Sequence, residues 1–271
     1  MAKKYSPRYT YCLEETNKIN VVIPYSKEQE FNQSLLGIGD FEGFPEQKDV
    51  IAAVFDLEGF TDFCACVDPQ LYVPRFLKEF LDWLYESIRE VFTKKTNKKE
   101  VILDAELPFF SKFLGDGVLF MWNIDSKKIY DVCNNKKEYD ELMNKFLCNI
   151  IGSLDLIQWF YGDFYESNGK KYRNAPSRLR CGIARGQVCS VGGGADYVGP
   201  CINIASRLQK FHGLGFACYS QGIDIKKGGY ERDYILKKVN IRGIGEEELV
   251  YVERSDYEKL SPEEKIHFVD P

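Results

Sequence analysis

The sequence predicts an α+β fold in which helices cover a mostly antiparallel sheet. Three observations carry this prediction. A strand-sized apolar run, residues 50–55, ends at Asp56; apolar residues recur every three to four positions over residues 71–92; and two apolar runs flank the Gly115-Asp116-Gly117 turn. These patterns are typical of a buried strand, an amphipathic helix and a β-hairpin. Strands and helices in this mixed order favour a single sheet with helices packed on it.

Residues 50–161 contain four predicted elements. They are a buried strand (50–55), an amphipathic helix (71–92), a hairpin of two strands (109–114 and 118–122) and a second helix (138–161). The second half continues with a strand pair around Arg185-Gly186, a third helix and late strands. Their predicted bounds are 179–184, 187–191, 202–211, 216–219, 234–241 and 249–252.

Domain organisation follows from the same pattern. Residues 1–47 are polar and punctuated by glycines, which predicts an N-terminal extension with little regular structure. Residues 48–255 contain the strand and helix signals and form the expected folded domain. Residues 256–271 are left as a C-terminal tail.

Composition excludes several classes of protein. The 271 residues are 44% hydrophobic, which is enough for a sizeable core. Lys and Arg number 36 against 41 Asp and Glu, so the chain lacks the basic excess that nucleic-acid binding needs. Its apolar runs are far shorter than the roughly 18 residues of a membrane span. The N-terminus carries no apolar signal segment. We therefore expect a cytoplasmic protein with no nucleic-acid or membrane partner.

The nine cysteines predict reduced thiols rather than a disulfide framework. Their number is odd, and Cys148, Cys181 and Cys218 stand inside apolar stretches. A zinc site built on the pair Cys64 and Cys66 is not predicted, because the chain contains only two histidines that could complete it.

Two carboxylates stand where strands give way to turns. Asp56 ends the first strand, and Asp116 lies in the hairpin turn. Two aspartates with a backbone carbonyl, here that of Leu57, match the oxygen ligands that hard divalent cations require. An Asp-Gly turn by itself is equally typical of ordinary turn chemistry. The pair therefore indicates a metal site only in combination with other motifs.

A second pair is polar and cationic. Asn203 and Arg207 are four residues apart, so on a helix they share one face and can address one anionic group. A surface helix can also show such a pair by accident.

Four motifs occur in order along the chain. They are FDLEGFT (55–61), KFLGDG (112–117), RCGIARGQV (180–188) and DYVGPCINIASR (196–207). Together they resemble the catalytic domain of the class III nucleotidyl cyclases, the adenylate and guanylate cyclase family, over about residues 49–254. The resemblance implies a single domain with a ferredoxin-like, mostly antiparallel sheet covered by helices. It also implies an enzyme, a nucleotidyl cyclase of the phosphorus–oxygen lyase class.

The resemblance further implies roles for individual residues. Asp56, Asp116 and the carbonyl of Leu57 would hold Mg²⁺ or Mn²⁺, two ions per active site, which bridge the triphosphate and activate the ribose 3′-hydroxyl. Asn203 would orient the ribose, and Arg207 would stabilise charge on the reacting phosphate. The products would be a 3′,5′-cyclic nucleotide and pyrophosphate.

Base recognition and assembly are implied in the same way. Lys112 and Asp196 occupy the positions that read the base. In the family, the metal-binding aspartates and the other site residues come from opposite subunits. A homodimer with two composite sites is therefore expected, and a monomer should be inactive.

The chain departs from the family pattern in three places. Ile244 stands where the family often has a triphosphate-binding lysine, which leaves Arg242 or another residue for that contact. The segment around 93–107 is longer than the usual spacing between the two aspartates. The residues before the domain are too few for a sensor module, which favours a stand-alone cyclase.

A stand-alone cyclase of this size resembles the bacterial pyrimidine cyclases of the Pycsar antiphage systems. These enzymes make cyclic UMP or cyclic CMP, which activates a downstream cyclic-nucleotide-binding effector. A lysine donor beside an aspartate acceptor suits adenine or cytosine better than guanine or uracil. Bulky neighbours, Phe55, Phe113 or Tyr197, could narrow the pocket toward a pyrimidine.

Three alternatives remain open at this stage. The chain could be an adenylate cyclase that makes cyclic AMP. It could be a nucleotide-binding regulatory domain without turnover, although both aspartates and the arginine of such a site are kept. A polymerase-like palm domain shares the paired aspartates, but the net negative charge disfavours it.

Overall fold

The computed structural model describes residues 33–39, 43–65, 69–93, 106–211 and 213–271. The described residues cluster in two compact units. The larger contains Glu46–Cys189 and Val198–Pro271, and the smaller contains Ser190–Tyr197 together with the described part of residues 1–45. A short 3-10 helix, Gln33–Leu36, belongs to the smaller unit. Residues 1–32 and 40–42 of the predicted N-terminal extension, the cysteine at position 66 and most of the long 93–107 segment lie outside the described residues.

Eight strands and seven α-helices are found in these ranges. The strands are β1 (Gln47–Leu57), β2 (Phe110–Phe113), β3 (Gly117–Asn123), β4 (Leu179–Val191), β5 (Asp196–Val198), β6 (Phe216–Tyr219), β7 (Tyr234–Ile241) and β8 (Gly245–Glu253). The helices are α1 (Phe60–Cys64), α2 (Pro69–Thr93), α3 (Ser126–Asp131), α4 (Lys136–Ser153), α5 (Pro200–Leu208), α6 (Arg254–Lys259) and α7 (Pro262–Lys265).

The strands form one sheet whose topology confirms the predicted fold class. Seven of them follow the order β2-β3-β1-β4-β6-β8-β7. Every neighbouring pair along this path is antiparallel except β4 and β6. The segment from β1 to β4 runs β-α-β-β-α-β, and its strands lie in the order β4-β1-β3-β2. This is the ferredoxin-like arrangement.

Side chains that alternate along β1 separate two apolar layers. Ile51, Ala53 and Phe55 point into a large core that also contains side chains of α2 and α4. Intervening residues, such as Ala52 and Val54, are equally buried but belong to the opposite face. Helix α5 packs against β1 and β6. The side chains of β1 that point to this second face, including those near the end of the strand, therefore lie beside α5.

A close approach of backbones holds α5 on the sheet. Gly182 of β4 pairs with Val54 of β1. A Cβ atom at Gly182 would lie 2.1 Å from the carbonyl oxygen of Ala205 in α5. Only glycine leaves room for the helix backbone at this distance.

Two predicted elements were wrong in their bounds. Residues 179–191 form one continuous strand rather than a strand pair turning at Gly186. Gly186 pairs with Val50 in the ladder, and Cys201 of α5 packs on it, so the glycine serves helix packing instead of a turn. The second helix ends at Ser153 rather than 161, and 3-10 and π-helical turns follow, Leu154–Trp159 and Phe160–Tyr165. The small pair Gly152-Ser153 has low helix propensity, which fits this change.

The remaining strand and helix predictions agree with the structure to within a few residues. The prediction of free, buried thiols also agrees with the structure at the cysteines named for it. Cys148, Cys181 and Cys218 are free and buried, and burial raises the pKa of Cys148 to about 11. No helix among the described residues is long and apolar enough to cross a membrane.

Replacement of Gly182 by alanine should destabilise the protein. The added methyl would meet the backbone of Ala205, and also that of Gln209 at 2.4 Å, so α5 would have to move away from the sheet. Forced overpacking of this kind costs about 1–3 kcal/mol. Thermal denaturation followed by circular dichroism measures the effect. The control is Gly162→Ala, where a Cβ meets nothing within 4 Å. A Gly182→Ala variant as stable as the wild type would contradict the close approach.

Candidate functional site

The site is built around a buried carboxylate at the end of β1. Asp56 lies on the α5 face of the sheet, and only 1% of the residue is exposed. Arg180 stands directly opposite it on β4. The Arg180 guanidinium donates to Asp56 Oδ2 from Nε at 3.2 Å and also from a terminal nitrogen. A buried carboxylate needs such a partner, because an uncompensated charge is costly away from water.

The hairpin turn brings a second carboxylate to the same place. Gly117 pairs with Asp56 across the β1–β3 ladder, and the backbone N–H of Leu57 donates to the carbonyl oxygen of Asp116 at 3.0 Å. Glycine is required at position 117, because a Cβ there would lie 1.9 Å from the carbonyl oxygen of Phe55. The turn sequence thus presses Asp116 against the end of β1.

Both carboxylates converge on one cation of the same chain. Lys210 Nζ lies 3.7 Å from Asp56 Oδ1 and 3.6 Å from Asp116 Oδ2. Lys210 follows the end of α5, so the helix packed on the sheet delivers its ammonium group to the carboxylates. The structure therefore brings together the two predicted metal-binding aspartates.

Burial raises the pKa of Asp56 above its ordinary value. Arg180 opposes that shift through its hydrogen bond and its charge, the neighbouring Asp116 charge adds to it, and Lys210 opposes it. Two cations thus favour the ionised form of Asp56, whereas desolvation and a like charge disfavour it.

A chain of ion pairs continues from Arg180 to the C-terminal helices. Arg180 lies 3.9 Å from Glu58, whose carboxylate is 3.3 Å from Arg178. Arg178 in turn lies 3.4 Å from Asp256 of α6. These partners restrict the orientation of the Arg180 side chain beside Asp56.

The donor set at this site fits a hard divalent cation. Two carboxylates lie around one lysine ammonium, and oxygen ligands of this type suit Mg²⁺ or Mn²⁺. Leu57, whose carbonyl is the third predicted ligand, directly follows Asp56 and is itself buried. No group of three or more His, Cys, Asp or Glu side chains that could hold a metal occurs in the part of the chain that the structure describes. A cation here would thus depend on two side chains, with backbone and substrate oxygens completing its shell.

Asn203 and Arg207 lie on the exposed side of α5. The Arg207 guanidinium rests against the β7–β8 turn, where a Cβ on Gly243 would lie 2.8 Å from Nη1. Among the described residues no ion pair joins Arg207 to Asp56 or Asp116; Lys210 makes those contacts instead. Within one chain, α5 therefore offers a lysine to the carboxylates and directs its arginine elsewhere.

The two predicted base-reading residues lie in different units. Lys112 is exposed on β2, opposite Leu119 of β3. Asp196 begins β5 in the smaller unit, and its Oδ1 accepts a hydrogen bond from the backbone N–H of Tyr197 at 2.8 Å.

One expectation about the base pocket was wrong. Phe55 cannot narrow such a pocket beside Asp56, because it is fully buried in the core on the opposite face of the sheet. Phe113, in contrast, is half exposed on the hairpin. Alternation along a strand already separates residues 55 and 56.

Two residues of the site were missed by sequence reasoning. Arg180 begins the third motif, but only the register between β1 and β4 places it opposite Asp56. Lys210 lies three residues beyond Arg207, and nothing in its sequence context distinguishes it from a solvated surface lysine. An excess of negative charge at the paired aspartates was the one available signal that cations were needed nearby.

Comparisons with known proteins find distant structural likeness alone. No protein-family profile and no curated protein matches the chain. Among solved structures, a bacterial light-regulated adenylyl cyclase is 15% identical, with a TM-score of 0.43, over 78% of this chain and 93% of its own. The catalytic core of a rhodopsin-guanylyl cyclase with converted specificity, in complex with ATPαS, is 14% identical, with a TM-score of 0.46, over 78% and 98%.

A third structure is an adenylate/guanylate cyclase/hydrolase from Silicibacter pomeroyi. It is 13% identical, with a TM-score of 0.45, over 77% of this chain and 97% of its own. Because this similarity is too distant to indicate function, the function has to be inferred from the residues of the chain itself.

Loss of Arg180 should make stability depend on pH. In Arg180→Met, burial of Asp56 is opposed only by Lys210, so the pKa of Asp56 rises further in the folded state. Folding then favours the protonated acid, and stability falls as pH rises through that pKa. We expect a loss of about 2–3 kcal/mol at pH 8 and a smaller loss at pH 5.

Urea denaturation at both pH values, without divalent cations, measures this loss. The control is Asp56→Asn with and without Arg180→Met, where the pH dependence of the difference should disappear. If Arg180→Met, with Asp56 unchanged, loses the same stability at pH 5 and at pH 8, the assigned pairing of Arg180 with Asp56 is contradicted.

Proposed function

We propose that the chain is a nucleotide cyclase that converts a nucleoside triphosphate to a 3′,5′-cyclic nucleotide and pyrophosphate. The convergence of Asp56 and Asp116 on a single cation is the observation that carries the proposal. It gathers, in three dimensions, two acidic groups from the first two of the four cyclase-like motifs. In this reaction the ribose 3′-oxygen forms a bond to the α-phosphorus. The bond between the α-phosphorus and the oxygen that joins it to the β-phosphorus breaks, pyrophosphate leaves, and the proton of the 3′-hydroxyl passes to solvent.

Mg²⁺ or Mn²⁺, two ions per site, would be held by Asp56, Asp116 and the Leu57 carbonyl. Such ions neutralise phosphate charge and favour ionisation of the 3′-hydroxyl. The chain's own residues supply position and further charge. Arg180 favours the ionised form of the buried Asp56 and orients its carboxylate. Asn203 would orient the ribose, and Arg207 would stabilise charge that develops on the reacting phosphate.

A homodimer with composite sites is part of the proposal. Among the described residues Arg207 makes no ion pair with Asp56 or Asp116, and the residue is exposed on α5, where a second chain could approach it. The hairpin that carries Asp116 also exposes apolar side chains, with Phe113 50% and Leu114 42% exposed. Neighbouring exposed apolar side chains are compatible with an interaction surface at this hairpin. These features support a partner chain that meets the carboxylates with its Asn203 and Arg207.

For the substrate we propose a pyrimidine nucleoside triphosphate, with cyclic CMP or cyclic UMP as product. The KFLGDG turn supports this choice through its resemblance to the corresponding turn of antiphage pyrimidine cyclases. Lys112 and Asp196 would read the base, and this donor and acceptor favour cytosine over uracil. An effector that binds the cyclic nucleotide would act downstream, in the cytoplasm. ATP, with cyclic AMP as product, is the competing substrate.

A competition among the four nucleotides tests the proposal directly. Purified protein with Mn²⁺ and equimolar ATP, CTP, GTP and UTP should yield one dominant cyclic nucleotide, identified by mass spectrometry. Asp116→Asn should lower turnover at least about 1000-fold, because a metal ligand is lost from an exposed turn that packs little. Circular dichroism checks that this variant still folds. Absence of any cyclic product from wild-type protein would refute the activity and favour a non-catalytic nucleotide-binding domain.

Mixing of two inactive variants tests the composite site. Asp116→Asn and Arg207→Ala should each be inactive alone, because each lacks one half of every site. A mixed dimer contains one site with both halves intact, so activity should reappear when the two proteins are equilibrated together. The control is each variant mixed with itself at the same total concentration. A mixture as inactive as its components would argue against contributions from two chains.

A further inference from the structure

Lys210 is held near the two carboxylates by its backbone rather than by strong side-chain bonds. Its N–H donates to the carbonyl oxygen of Arg207 at 3.3 Å, just beyond the end of α5. The ammonium lies 3.7 and 3.6 Å from the two carboxylates, longer than a normal hydrogen bond. Its side chain is 56% exposed, whereas that of Asp56 is 2% exposed. The ammonium can therefore leave the carboxylates while its backbone stays in place.

Arg180 differs from Lys210 on each of these points. Its side chain is only 16% exposed, donates two hydrogen bonds to Asp56 and lies beside Glu58. A planar guanidinium fixed in this way is a permanent partner, while an ammonium on a flexible stem is a movable one. Of the two cations at Asp56, Lys210 is the one that another cation can replace.

A divalent cation and the ammonium compete for the same oxygens. Both would lie between Asp56 Oδ1 and Asp116 Oδ2, where two positive groups repel each other. The divalent cation has twice the charge and accepts several oxygen ligands at once. When it binds, Lys210 moves out, but its stem keeps the ammonium next to the site.

The proposed reaction requires a cationic side chain that binds the triphosphate, and a cation at that position could supply it. Ile244 in the β7–β8 turn has no polar group to bind a triphosphate, and Arg242 is the turn's only cationic residue. An ammonium released from Asp56 and Asp116 would stay beside the site and could contact a triphosphate bound there.

We propose that Lys210 is a movable counter-cation. It neutralises Asp56 and Asp116 when no divalent cation is bound, and it binds the triphosphate of the substrate once a divalent cation has displaced it. The triphosphate role rests on the proposed function, while the competition with metal does not.

Metal binding without nucleotide tests the first half. Free Mn²⁺ is measured by electron paramagnetic resonance during titration of the full chain. Lys210→Met keeps the stem and removes the charge, so it should bind Mn²⁺ roughly fivefold more tightly than wild type. Lys227→Met is the matched control, an exposed lysine paired with Asp224 at 3.4 Å, and should leave the affinity unchanged. Asp56→Asn should weaken binding and thereby identify the site.

Binding of inorganic tripolyphosphate tests the second half. With saturating Mg²⁺, calorimetry should give a Kd roughly tenfold higher for Lys210→Met than for wild type, because a charge-assisted contact is lost. Lys210→Arg should restore most of this affinity, and Lys227→Met should match wild type. Opposite effects of one substitution on the metal and on the triphosphate are not expected from a merely structural residue.

Failure of this inference can be separated from failure of the cyclase assignment. Tighter Mn²⁺ binding and weaker tripolyphosphate binding in Lys210→Met support the inference even if no nucleotide is cyclised. Unchanged or weaker Mn²⁺ binding in Lys210→Met overturns it even if wild-type protein makes a cyclic nucleotide. Wild-type protein that does not bind Mn²⁺, or tripolyphosphate affinity that is equal in wild type and Lys210→Met, overturns it as well.

Discussion

Neutralisation of the buried Asp56 carboxylate is the constraint on which the rest of the site depends. A carboxylate that is almost entirely removed from water, next to a second carboxylate, retains its charge only if cations stand close by. The sheet supplies one through the register of β1 and β4, and α5 supplies another through the lysine that follows it. Sheet pairing and helix packing thus both act directly on the charge of one side chain.

Packing of α5 explains how the second cation reaches its position. The helix backbone approaches the sheet at Gly182, and Cys201 at its first turn packs on Gly186. These two glycines lie four residues apart on β4, so they contact opposite ends of the short helix. The end of α5 is thereby fixed beside the last residues of β1. A bulkier residue at either position would move Lys210 as well as the helix.

The sequence allowed much of the fold to be predicted, for physical reasons that differ between elements. Strand β1, helix α2 and the β2–β3 hairpin have strong periodicity or a glycine turn, and these local signals agree with the tertiary structure. Gly186 was misread because a glycine that accommodates a helix looks, in sequence, like a glycine that makes a turn.

The site was predictable to a smaller extent. Asp56 and Asp116 could be expected to meet, since Asp56 ends a strand and Asp116 lies in a turn that joins two strands. The position of Arg180 depends on cross-strand register, and that of Lys210 on the placement of α5, neither of which a local pattern encodes. Phe55 could have been excluded from a base pocket by strand alternation alone.

The cations around the carboxylates differ in how freely they move, and this difference bears on how a composite site can work. Arg180 is mostly buried and paired with Asp56, so it restricts the orientation of that carboxylate whether or not a cation or nucleotide is bound. Lys210 is exposed and belongs to the same chain, so it can stabilise the carboxylates of a chain that has bound nothing. Arg207 rests against the β7–β8 turn, and in the proposed dimer it would act on a phosphate at the carboxylates of the second chain. One chain therefore contains cations that offset the negative charge of Asp56 and Asp116 in the folded state. The positive charge proposed to stabilise the transition state, that of Arg207, would depend on dimer assembly. In the proposed dimer, the cations that favour folding and the arginine that serves activity would therefore come from different chains.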